Sequence, residues 1–333
     1  MKNVHIFIRK KNSVFHQSIE RFVTQLKTNI NHKEINIKIL ECPLASVGFF
    51  NRVYLIFWAF FNQGHVNHIC GDVNYISLFL SKKKTINTFL DCRLLSEFIG
   101  IKKIIYKLFW FYMPIHKSSI NTCISNFTKN EIKKNFKKKE NINFKVLPVP
   151  LVQKYSSNIN HKIKKILIIG TEKHKNIENS LKALSGLNIS LIIVGKLNKN
   201  CRDLIKVSNI KYKNYVNISN KKLNKIYKTC NILLMPSTYE GFGMPIIEAQ
   251  ISSMPVITSN KQPMKNLAGK NALKVNPNKI IEIRKAVKKL IDNDRYFYKL
   301  SRQGIINALK YEGKLVNKAY LNLYLKILNN EYK

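Results

Sequence analysis

The sequence has few acidic residues and few arginines. Aspartate and glutamate number 18 against 58 lysines and arginines, which gives a formal net charge of +40. Such a surplus first suggests nucleic acid as a partner. Only eight of the basic residues are arginine, however, and arginine is the side chain that usually reads base edges and binds phosphates. No aromatic–basic stacking motif or reading helix is recognisable, so a nucleic-acid binder is not expected.

Long apolar runs are also missing. The most apolar stretches, residues 53–61 and 108–115, fall far short of the roughly 20 residues that span a bilayer. The N-terminus has a short apolar run followed by charge, which predicts a strand rather than a signal peptide. Two explanations of the lysine surplus remain open. One is a surface composition set by the coding sequence. The other is attraction to an anionic membrane, which contributes roughly 1 kcal/mol for each basic residue near the surface. We expect a cytoplasmic protein and leave open its peripheral association with the inner face of the cytoplasmic membrane.

One helical pattern bears on the membrane question. Residues 102–114, KKIIYKLFWFYMP, place lysines beside a broad apolar face. This composition fits a core helix with a lysine face, and it also fits a helix that rests on a membrane near a lipid-linked glycan.

Several motifs of metal and covalent chemistry are absent. The six cysteines show neither a C-x-x-C pair nor zinc-ligand spacing, which predicts free thiols in a reducing compartment. The histidines show no metal-ligand spacing, and no G-x-S-x-G elbow or catalytic triad is found. We therefore expect no metal site and no cofactor.

Alternating strand and helix patterns run along the chain. Its 333 residues, 45% of them apolar, suffice for two α/β domains with cores of their own. Strand patterns such as NVHIFIR and KILIIG alternate with helical patterns such as SIERFVTQLKTNI, which predicts parallel sheets covered by helices. A polar stretch with two prolines, residues 146–165, separates two such series and predicts a linker. Two halves of this kind leave a cleft, and ligands of such folds sit at the carboxyl ends of the strands.

The most informative stretch, residues 235–258, reads MPSTYEGFGMPIIEAQISSMPVIT. A strand pattern leads into it, and Pro245 suits the start of a helix because its missing N–H would be unpaired there. Gly241 and Gly243 let the backbone approach a ligand closely. The N-terminus of the following helix favours a phosphate, since its N–H groups and partial positive charge point outward.

Two glutamates bracket this loop. Glu248, expected in the first helical turn, can accept hydrogen bonds from a ribose diol. Glu240, at the carboxyl end of the strand, can meet hydroxyls of a sugar beyond the phosphate. Together they predict a nucleotide-sugar site. The simpler alternative is that Glu248 is only a favourable charge near a helix start and that the glycines only make a turn.

As a spaced set, E-G-F-G-M-P-x-x-E-A resembles the signature of retaining glycosyltransferases of family 4, which have the GT-B fold. The likeness is specific over about residues 165–293; the weaker N-terminal half looks like bacterial polysaccharide-assembly members. It implies two Rossmann-like domains facing a central cleft. Their expected limits are 1–155 for the acceptor side and 160–305 for the nucleotide-sugar side, and a C-terminal helix in 306–333 is expected to pack back towards the first domain.

The resemblance also implies site residues. The family has a lysine, followed by asparagine or glycine, that contacts the donor diphosphate; Lys175-Asn176 matches this pair after the strand-ending Gly170. Lys175, Glu240 and Asp91 are then the candidate catalytic residues. Donor binding is expected from a larger set: Gly170, Thr171, Lys175, Gly241, Phe242, Gly243, Met244 and Glu248.

The implied reaction moves a sugar from a nucleotide-sugar to a glycan or lipid-linked glycan, with retention and without a bound metal. The implied setting is O-antigen, capsule or lipooligosaccharide assembly. A phosphorylase of the same fold, which would need free phosphate, is a further alternative.

Several positions depart from the family's pattern. Many family members have a histidine followed by an aspartate; Asp91 matches the aspartate, but Leu90 stands in the place of the histidine. Asn266 replaces a glutamate that is common in the family. These changes keep open a catalytically degenerate transferase that acts as a binding partner in a sugar-assembly complex. Leu90 also suggests a 6-deoxy sugar donor, because an apolar wall suits a sugar edge without a hydroxyl.

Overall fold

The structure is a computed structural model that describes residues 1–10, 18–136, 143–151 and 164–331. It divides into two compact units: an N-terminal unit of Met1–Val152 with Gly313–Lys333, and a C-terminal unit of Gln153–Glu312. The boundaries predicted at 155 and 160, and most of the predicted linker, lie outside the described residues.

The N-terminal unit is built on a parallel sheet of six strands, in the order β2-β1-β3-β4-β5-β6. The strands are β1 (Lys2–Ile8), β2 (Ile35–Glu41), β3 (Val66–Cys70), β4 (Thr85–Phe89), β5 (Ile120–Cys123) and β6 (Phe144–Val146). Every residue of the central strands β3 and β4 is buried. This burial is typical of parallel sheets, which are covered on both faces.

Short helices cover this sheet. They are α1 (Ser18–Asn29), α2 (Phe49–Phe61), α3 (Arg93–Glu97), α4 (Gly100–Lys107), α5 (Met113–His116) and α6 (Asn126–Asn135). Two 3₁₀ segments, Asn74–Phe79 and Lys82–Lys84, precede β4, and a π-helical segment, Leu108–Tyr112, joins α4 to α5. The start of α6 is capped by Ser125, whose hydroxyl accepts the Thr128 N–H at 3.0 Å.

The C-terminal unit repeats the α/β plan with a sheet ordered β12-β11-β10-β7-β8-β9, again all parallel. Its strands are β7 (Lys165–Ile169), β8 (Ser190–Val194), β9 (Lys211–Tyr215), β10 (Ile232–Met235), β11 (Val256–Ser259) and β12 (Leu273–Val275). Its helices are α7 (Ile177–Leu184), α8 (Lys199–Val207), α9 (Asn220–Thr229), α10 (Met244–Ile251), α11 (Met264–Leu267), α12 (Ile280–Ile291) and α13 (Asp294–Leu309). The α/β prediction is confirmed in both units.

The chain then returns to the N-terminal unit through its last helix, α14 (Gly313–Leu328). The buried His68 of β3 ties α14 to the sheet: its Nδ1 is hydrogen-bonded to Tyr324 Oη at 2.8 Å and its Nε2 to Thr88 Oγ1 at 2.7 Å. Tyr320 stacks on the same imidazole, with ring centroids 5.4 Å apart. Residue 306, where the sequence analysis began the returning segment, lies inside α13, and the compact C-terminal unit extends to Glu312.

Candidate active site

The order of strands in the C-terminal unit defines one ligand-binding edge. β7 and β10 are parallel neighbours, and the chain proceeds from β7 to β8 and β9 on one side and from β10 to β11 and β12 on the other. In open α/β sheets, ligands bind at the carboxyl ends of the strands where the strand order reverses in this way. Residues 170–175 follow β7 and residues 240–243 follow β10. The topology therefore brings two predicted loops to this edge: the lysine loop, residues 170–175, and the glycine loop, residues 240–243.

Lys175 and Glu240 form an ion pair at this edge. Lys175 Nζ donates to Glu240 Oε1 at 2.7 Å, and the two side chains are only 17% and 10% exposed. The residues are 65 positions apart in sequence. Their expected partners were separate, a diphosphate and a sugar, and no local pattern indicated that the two residues contact each other. Charged hydrogen bonds of this kind contribute roughly 1.5–3 kcal/mol.

Gly170 makes room for the lysine. Its φ is +89°, and a Cβ there would lie 2.8 Å from Lys175 Cε and 2.9 Å from Lys175 Cγ. The lysine stem thus crosses directly over the glycine on its way to Glu240. A side chain at position 170 would be strained by the backbone and would collide with the lysine.

Thr171 anchors the same loop through hydrogen bonds of its own. Its N–H donates to Glu172 Oε2 at 3.1 Å, and its hydroxyl donates to the Lys196 carbonyl at 2.7 Å. A Cβ at Gly195 would lie 2.8 Å from Thr171 Cγ2, so the loop after β8 also needs a glycine here. Thr171 therefore holds the loops after β7 and β8 together.

Asn176 ties the lysine loop to two others. It adopts a left-handed conformation with φ 58°, and its Nδ2 donates to the carbonyls of Pro236 at 3.1 Å and Pro277 at 2.6 Å. The Thr238 N–H adds a hydrogen bond to the His174 carbonyl at 2.8 Å. In the sequence, Asn176 stood out only as half of a motif. The residue type could have indicated the left-handed conformation, because asparagine is enriched at such positions.

The glycine loop ends in the N-terminus of α10. Gly243 caps the helix with φ +103°, and a Cβ there would lie 3.2 Å from Leu267 Cδ2. Met244 is the first residue of α10, Pro245 is the second, and the half-buried Gly241 lies two residues before the cap. The predicted strand–loop–helix geometry is therefore present, and the partial positive charge of the helix start suits an anion.

Glu248 lies deeper than expected. It is the fifth residue of α10 and so belongs to the second turn; the expectation of the first turn was wrong because the helix begins at Met244. Its side chain is 1% exposed, and its Oε2 accepts a hydrogen bond from Tyr227 Oη at 2.7 Å. Tyr227, a buried residue of α9, was missed because no local pattern reports a contact between α9 and α10.

Two predicted residues have different surroundings. The ring of Phe242 is buried and packs edge-on against Tyr311, with centroids 5.9 Å apart. Asp91 belongs to the N-terminal unit, where it is exposed and its Oδ1 accepts the Arg93 N–H at 3.0 Å. The structure thus groups Lys175 and Glu240 with the glycines in one unit and places Asp91 in the other.

The described residues show neither a metal cluster nor a membrane-spanning helix. In this part of the chain, no three histidine, cysteine or acidic side chains are grouped so that they could hold a metal ion. Metal independence remains a prediction. The six cysteines, which all fall within the described residues, are buried and form no disulfide. No helix among the described residues combines the length and the apolar character needed to cross a membrane.

A known protein family matches the part of the chain that contains these loops. Residues 152–310 match the family described as Glycosyl transferases group 1. The match covers just under half of the chain and likens its C-terminal unit to a group 1 glycosyltransferase domain. The matched region contains the lysine loop, the glycine loop and both glutamates of the site.

One similar curated protein is a named mannosyltransferase. O-antigen chain mannosyltransferase B of Escherichia coli is 27% identical over 115 residues, which cover 34% of this chain and 30% of that protein. The chain spans about a third or less of the length of the first curated relatives it matches.

Two solved structures resemble the whole chain. Sucrose-phosphate synthase from Thermosynechococcus elongatus has a TM-score of 0.77 at 12% identity and covers 99% of this chain and 100% of its own. HepE from Anabaena, in complex with UDP and glucose, has a TM-score of 0.76 at 12% identity and covers 97% of this chain and 99% of its own. At such identities the likeness establishes the fold alone, and the GT-B prediction is confirmed.

Proposed function

We propose that this protein is a retaining glycosyltransferase of bacterial surface polysaccharide assembly. It moves a sugar from a nucleotide-sugar donor to a glycan or lipid-linked glycan acceptor on the cytoplasmic side of the membrane. The observation that carries the proposal is the placement of Lys175, Glu240 and the N-terminus of α10 at the ligand-binding edge of a group 1 domain. The named activity of the O-antigen relative supports the choice of acceptor class.

In this proposal, Lys175 and α10 bind the donor diphosphate. The lysine supplies a full positive charge, and the helix start supplies N–H groups and a partial one. A diphosphate that reaches Lys175 competes with Glu240 for the ammonium group, which is 2.7 Å from the Glu240 carboxylate. Glu240 then faces the transferred sugar, where its charge stabilises cation-like character at the anomeric carbon.

Glu248 holds the ribose of the donor. Tyr227 donates to Glu248 Oε2 and so orients the carboxylate. A diol that hydrogen-bonds to this carboxylate would place the nucleoside beside α10 and the diphosphate at the helix start. Ribose, diphosphate and sugar would then lie in a row from Glu248 to Glu240.

Retention follows if the bond to the diphosphate breaks and the bond to the acceptor forms on one face of the sugar. The bond between the anomeric carbon and the diphosphate oxygen breaks while the acceptor oxygen bonds to the same carbon from the same side. The acceptor proton passes to the departing diphosphate. Lys175 and the α10 N-terminus stabilise the charge that develops on that leaving group, and for this reason we expect no metal requirement.

Donor binding and transfer test the proposal in sequence. A thermal-shift panel of nucleoside diphosphates and nucleotide-sugars identifies the donor, since a ligand at a hundred times its Kd stabilises by about 2.7 kcal/mol. Transfer from that donor to a glycan acceptor is then measured with and without EDTA, and NMR of the product reports the anomeric configuration. Failure of every nucleotide to stabilise the protein would overturn the proposal; an inverted product would overturn retention.

A binding partner without catalysis is the second candidate. Leu90, in place of the family's histidine, motivates it; in the structure Leu90 is half-buried and its carbonyl accepts the Thr128 hydroxyl at 3.1 Å. Diphosphate binding without transfer or donor hydrolysis would favour this candidate.

Leu90 also motivates the hypothesis of a 6-deoxy donor. A hydroxyl facing leucine would be buried without a partner, which costs roughly 1–3 kcal/mol. The wild type should then prefer a 6-deoxy donor in a competition assay, and Leu90→His should narrow that preference. Exclusive use of the hydroxylated sugar by the wild type would contradict the hypothesis.

A further inference from the structure

Exposed aromatic side chains line one face of α2. Phe50, Tyr54, Phe57 and Phe61 repeat at spacings of four, three and four residues, and Phe50 and Phe61 are 85% and 79% exposed. Such spacing places them along a single helix face. The opposite face carries the fully buried Leu55, which packs in the core of the N-terminal unit. The helix therefore has one apolar face in the core and an aromatic face in solvent.

An apolar cup lies beside the C-terminal end of α2. Its volume is about 450 Å³, and Lys117 and six apolar side chains of α2 and residues 78–80 line it. Phe57 and Phe79 meet in its wall with ring centroids 5.5 Å apart. The exposed run Lys82–Lys84 follows the cup directly in sequence, and the Lys82 carbonyl accepts the N–H of Ser119, two residues after Lys117. One lysine, Lys117, thus lines an otherwise apolar opening, and the Lys82–Lys84 run lies close to it in the backbone.

A second apolar row lies on the helix from α4 to α5. Ile101, Ile104, Ile105, Leu108 and Tyr112 are exposed and recur at spacings typical of one helix face. The segment 102–114 therefore does not behave as a core helix alone. Its aromatic residues Trp110 and Phe111 are buried in the core while its aliphatic side faces solvent.

The two rows belong to one helical layer. The Arg52 guanidinium of α2 stacks on the Trp110 ring at 4.9 Å, and Tyr75 of the first 3₁₀ segment contacts the same ring at 4.7 Å. We call α2, Asn74–Phe79, Lys82–Lys84 and residues 100–117 the docking layer. Its exposed apolar side chains make up most of those found on the described part of the N-terminal unit.

The charge of the docking layer is of one sign. Its described elements contain no aspartate or glutamate, and they carry six lysines in Lys82–Lys84 and α4. Lysine is depleted in protein–protein interfaces, and a second copy of a +40 chain would be repelled. An anionic bilayer attracts lysines and accepts aromatic side chains at its interface. The layer matches a lipid surface in both respects.

We propose that the docking layer binds the surface of an anionic bilayer. The aromatic face of α2 inserts among the headgroups, the lysines pair with lipid phosphates, and the cup takes one acyl chain. The lysine run precedes β4 and Lys117 precedes β5, so the cup lies at the amino ends of these strands, away from the carboxyl edge where ligands are expected. The proposal stands apart from sugar transfer, and its test reads lipid binding, so either one can fail without the other.

Co-sedimentation of the full chain with vesicles tests the apolar part. Phosphatidylglycerol in phosphatidylcholine is compared with phosphatidylcholine alone, in about 0.1 M and about 1 M salt, where charges act over about 10 and 3 Å. We expect binding to the anionic vesicles with a fraction that survives high salt, because apolar burial is not screened. Phe50→Ser with Phe61→Ser should remove that fraction and weaken binding roughly tenfold per phenylalanine. The matched control, Val207→Ser with Ile281→Ser, changes two exposed apolar residues of the C-terminal unit and should bind as wild type.

The lysine run is tested in the same assay. Replacing Lys82, Lys83 and Lys84 with glutamine should weaken low-salt binding by roughly fivefold per lysine. Glutamine at Lys221, Lys225 and Lys228 of α9 removes the same charge elsewhere and should have a much smaller effect. Far-UV circular dichroism and melting curves confirm that each variant is folded.

Three outcomes would overturn the proposal. One is wild-type binding by the folded Phe50/Phe61 variant. Another is an equal loss of vesicle binding in the two triple lysine variants, which would mean that binding depends on the overall charge of the chain. The third combines two results: light scattering shows a dimer that the Phe50/Phe61 substitutions dissociate, and no vesicle binding is found. A second copy of the chain would then be the occupant of the docking layer.

Discussion

Because Lys175 pairs with Glu240, donor affinity depends on whether the Glu240 carboxylate occupies the lysine. Both charges are largely withdrawn from water, so each depends on the other or on a bound ligand. A lysine released from the pair binds phosphate more strongly, whereas a glutamate released from the pair is a less shielded negative charge. The two residues should therefore respond differently to truncation.

We expect Lys175→Ala to weaken binding of the nucleoside diphosphate by roughly 10- to 100-fold, because a charged hydrogen bond is lost. Glu240→Ala should bind the diphosphate at least as well as wild type, since the competitor for Lys175 is gone, while transfer falls. Calorimetry with the diphosphate alone measures the first effect, and an activity assay measures the second. Equal weakening in both variants would show that the pair acts as a structural unit.

Gly170 offers a test of the loop itself. Gly170→Ala places a Cβ against the lysine stem at a φ of +89°, so both stability and diphosphate affinity should fall, with roughly 1–2 kcal/mol lost to the backbone alone. Gly186→Ala is a matched control, because its φ is +68° but nothing lies within 4 Å of the added Cβ. The control should lose stability and keep its affinity. Urea unfolding and calorimetry separate the two, and unchanged affinity in Gly170→Ala would rule out the crowding argument.

At the scale of elements, the site depends on how loops after different strands are joined. Asn176 donates to carbonyls after β10 and β12, and Thr171 donates to one after β8. The lysine loop is thereby held at the positions from which Lys175 reaches Glu240. Helix α10 is held in a different way, through the contact of Glu248 with Tyr227 of α9.

The attachment of α14 to β3 predicts a dependence of stability on pH. Burial lowers the pKa of His68 to about 3, against about 6.5 for an unfolded histidine. Between these values the unfolded chain binds a proton that the folded chain does not. The free energy of unfolding should therefore fall as pH falls below about 6.5, by up to about 1.4 kcal/mol per pH unit.

Urea unfolding between pH 7 and pH 4 measures this slope. His68→Gln should reduce it by close to one proton. An unchanged slope in His68→Gln would show that other groups cause the loss of stability in acid.

At the scale of the whole molecule, the chain passes through the C-terminal unit and then completes the N-terminal one. Helix α14 follows residue 312 in sequence yet belongs to the unit that begins at Met1. Its buried tyrosines, Tyr320 and Tyr324, cover His68 in the N-terminal core. The last helix is therefore part of the support for β3 and β4.

Removal of residues 313–333 should destabilise one unit selectively. We expect hydrogen exchange to accelerate strongly in β3 and β4 because their buried polar side chains lose Tyr324 and Tyr320, while β7 and β10 keep their protection. Binding of the nucleoside diphosphate should persist. Equal acceleration in both sheets would contradict this assignment of α14.

Several parts of the molecule were predictable because their signals are local. Strand patterns predicted β1, β7 and β10, and the glycines and Pro245 predicted the loop and start of α10. These signals act through backbone conformation and through side-chain periods of 2 and 3.6 residues, which the chain carries wherever it folds. The edge strand β9, with exposed lysines in place of an apolar run, gave no such pattern and was not assigned.

The sequence by itself determined that this is a parallel α/β protein with a glycosyltransferase motif, because periodicity and glycine positions express short-range physics. Only the tertiary structure decided that Lys175 meets Glu240, that Tyr227 orients Glu248, and that the aromatic face of α2 points to solvent. Each of these depends on which strands become neighbours and on which face of a helix the sheet covers. The placement of β10 beside β7 is a choice of topology, and it brings together residues 65 positions apart that no local pattern relates.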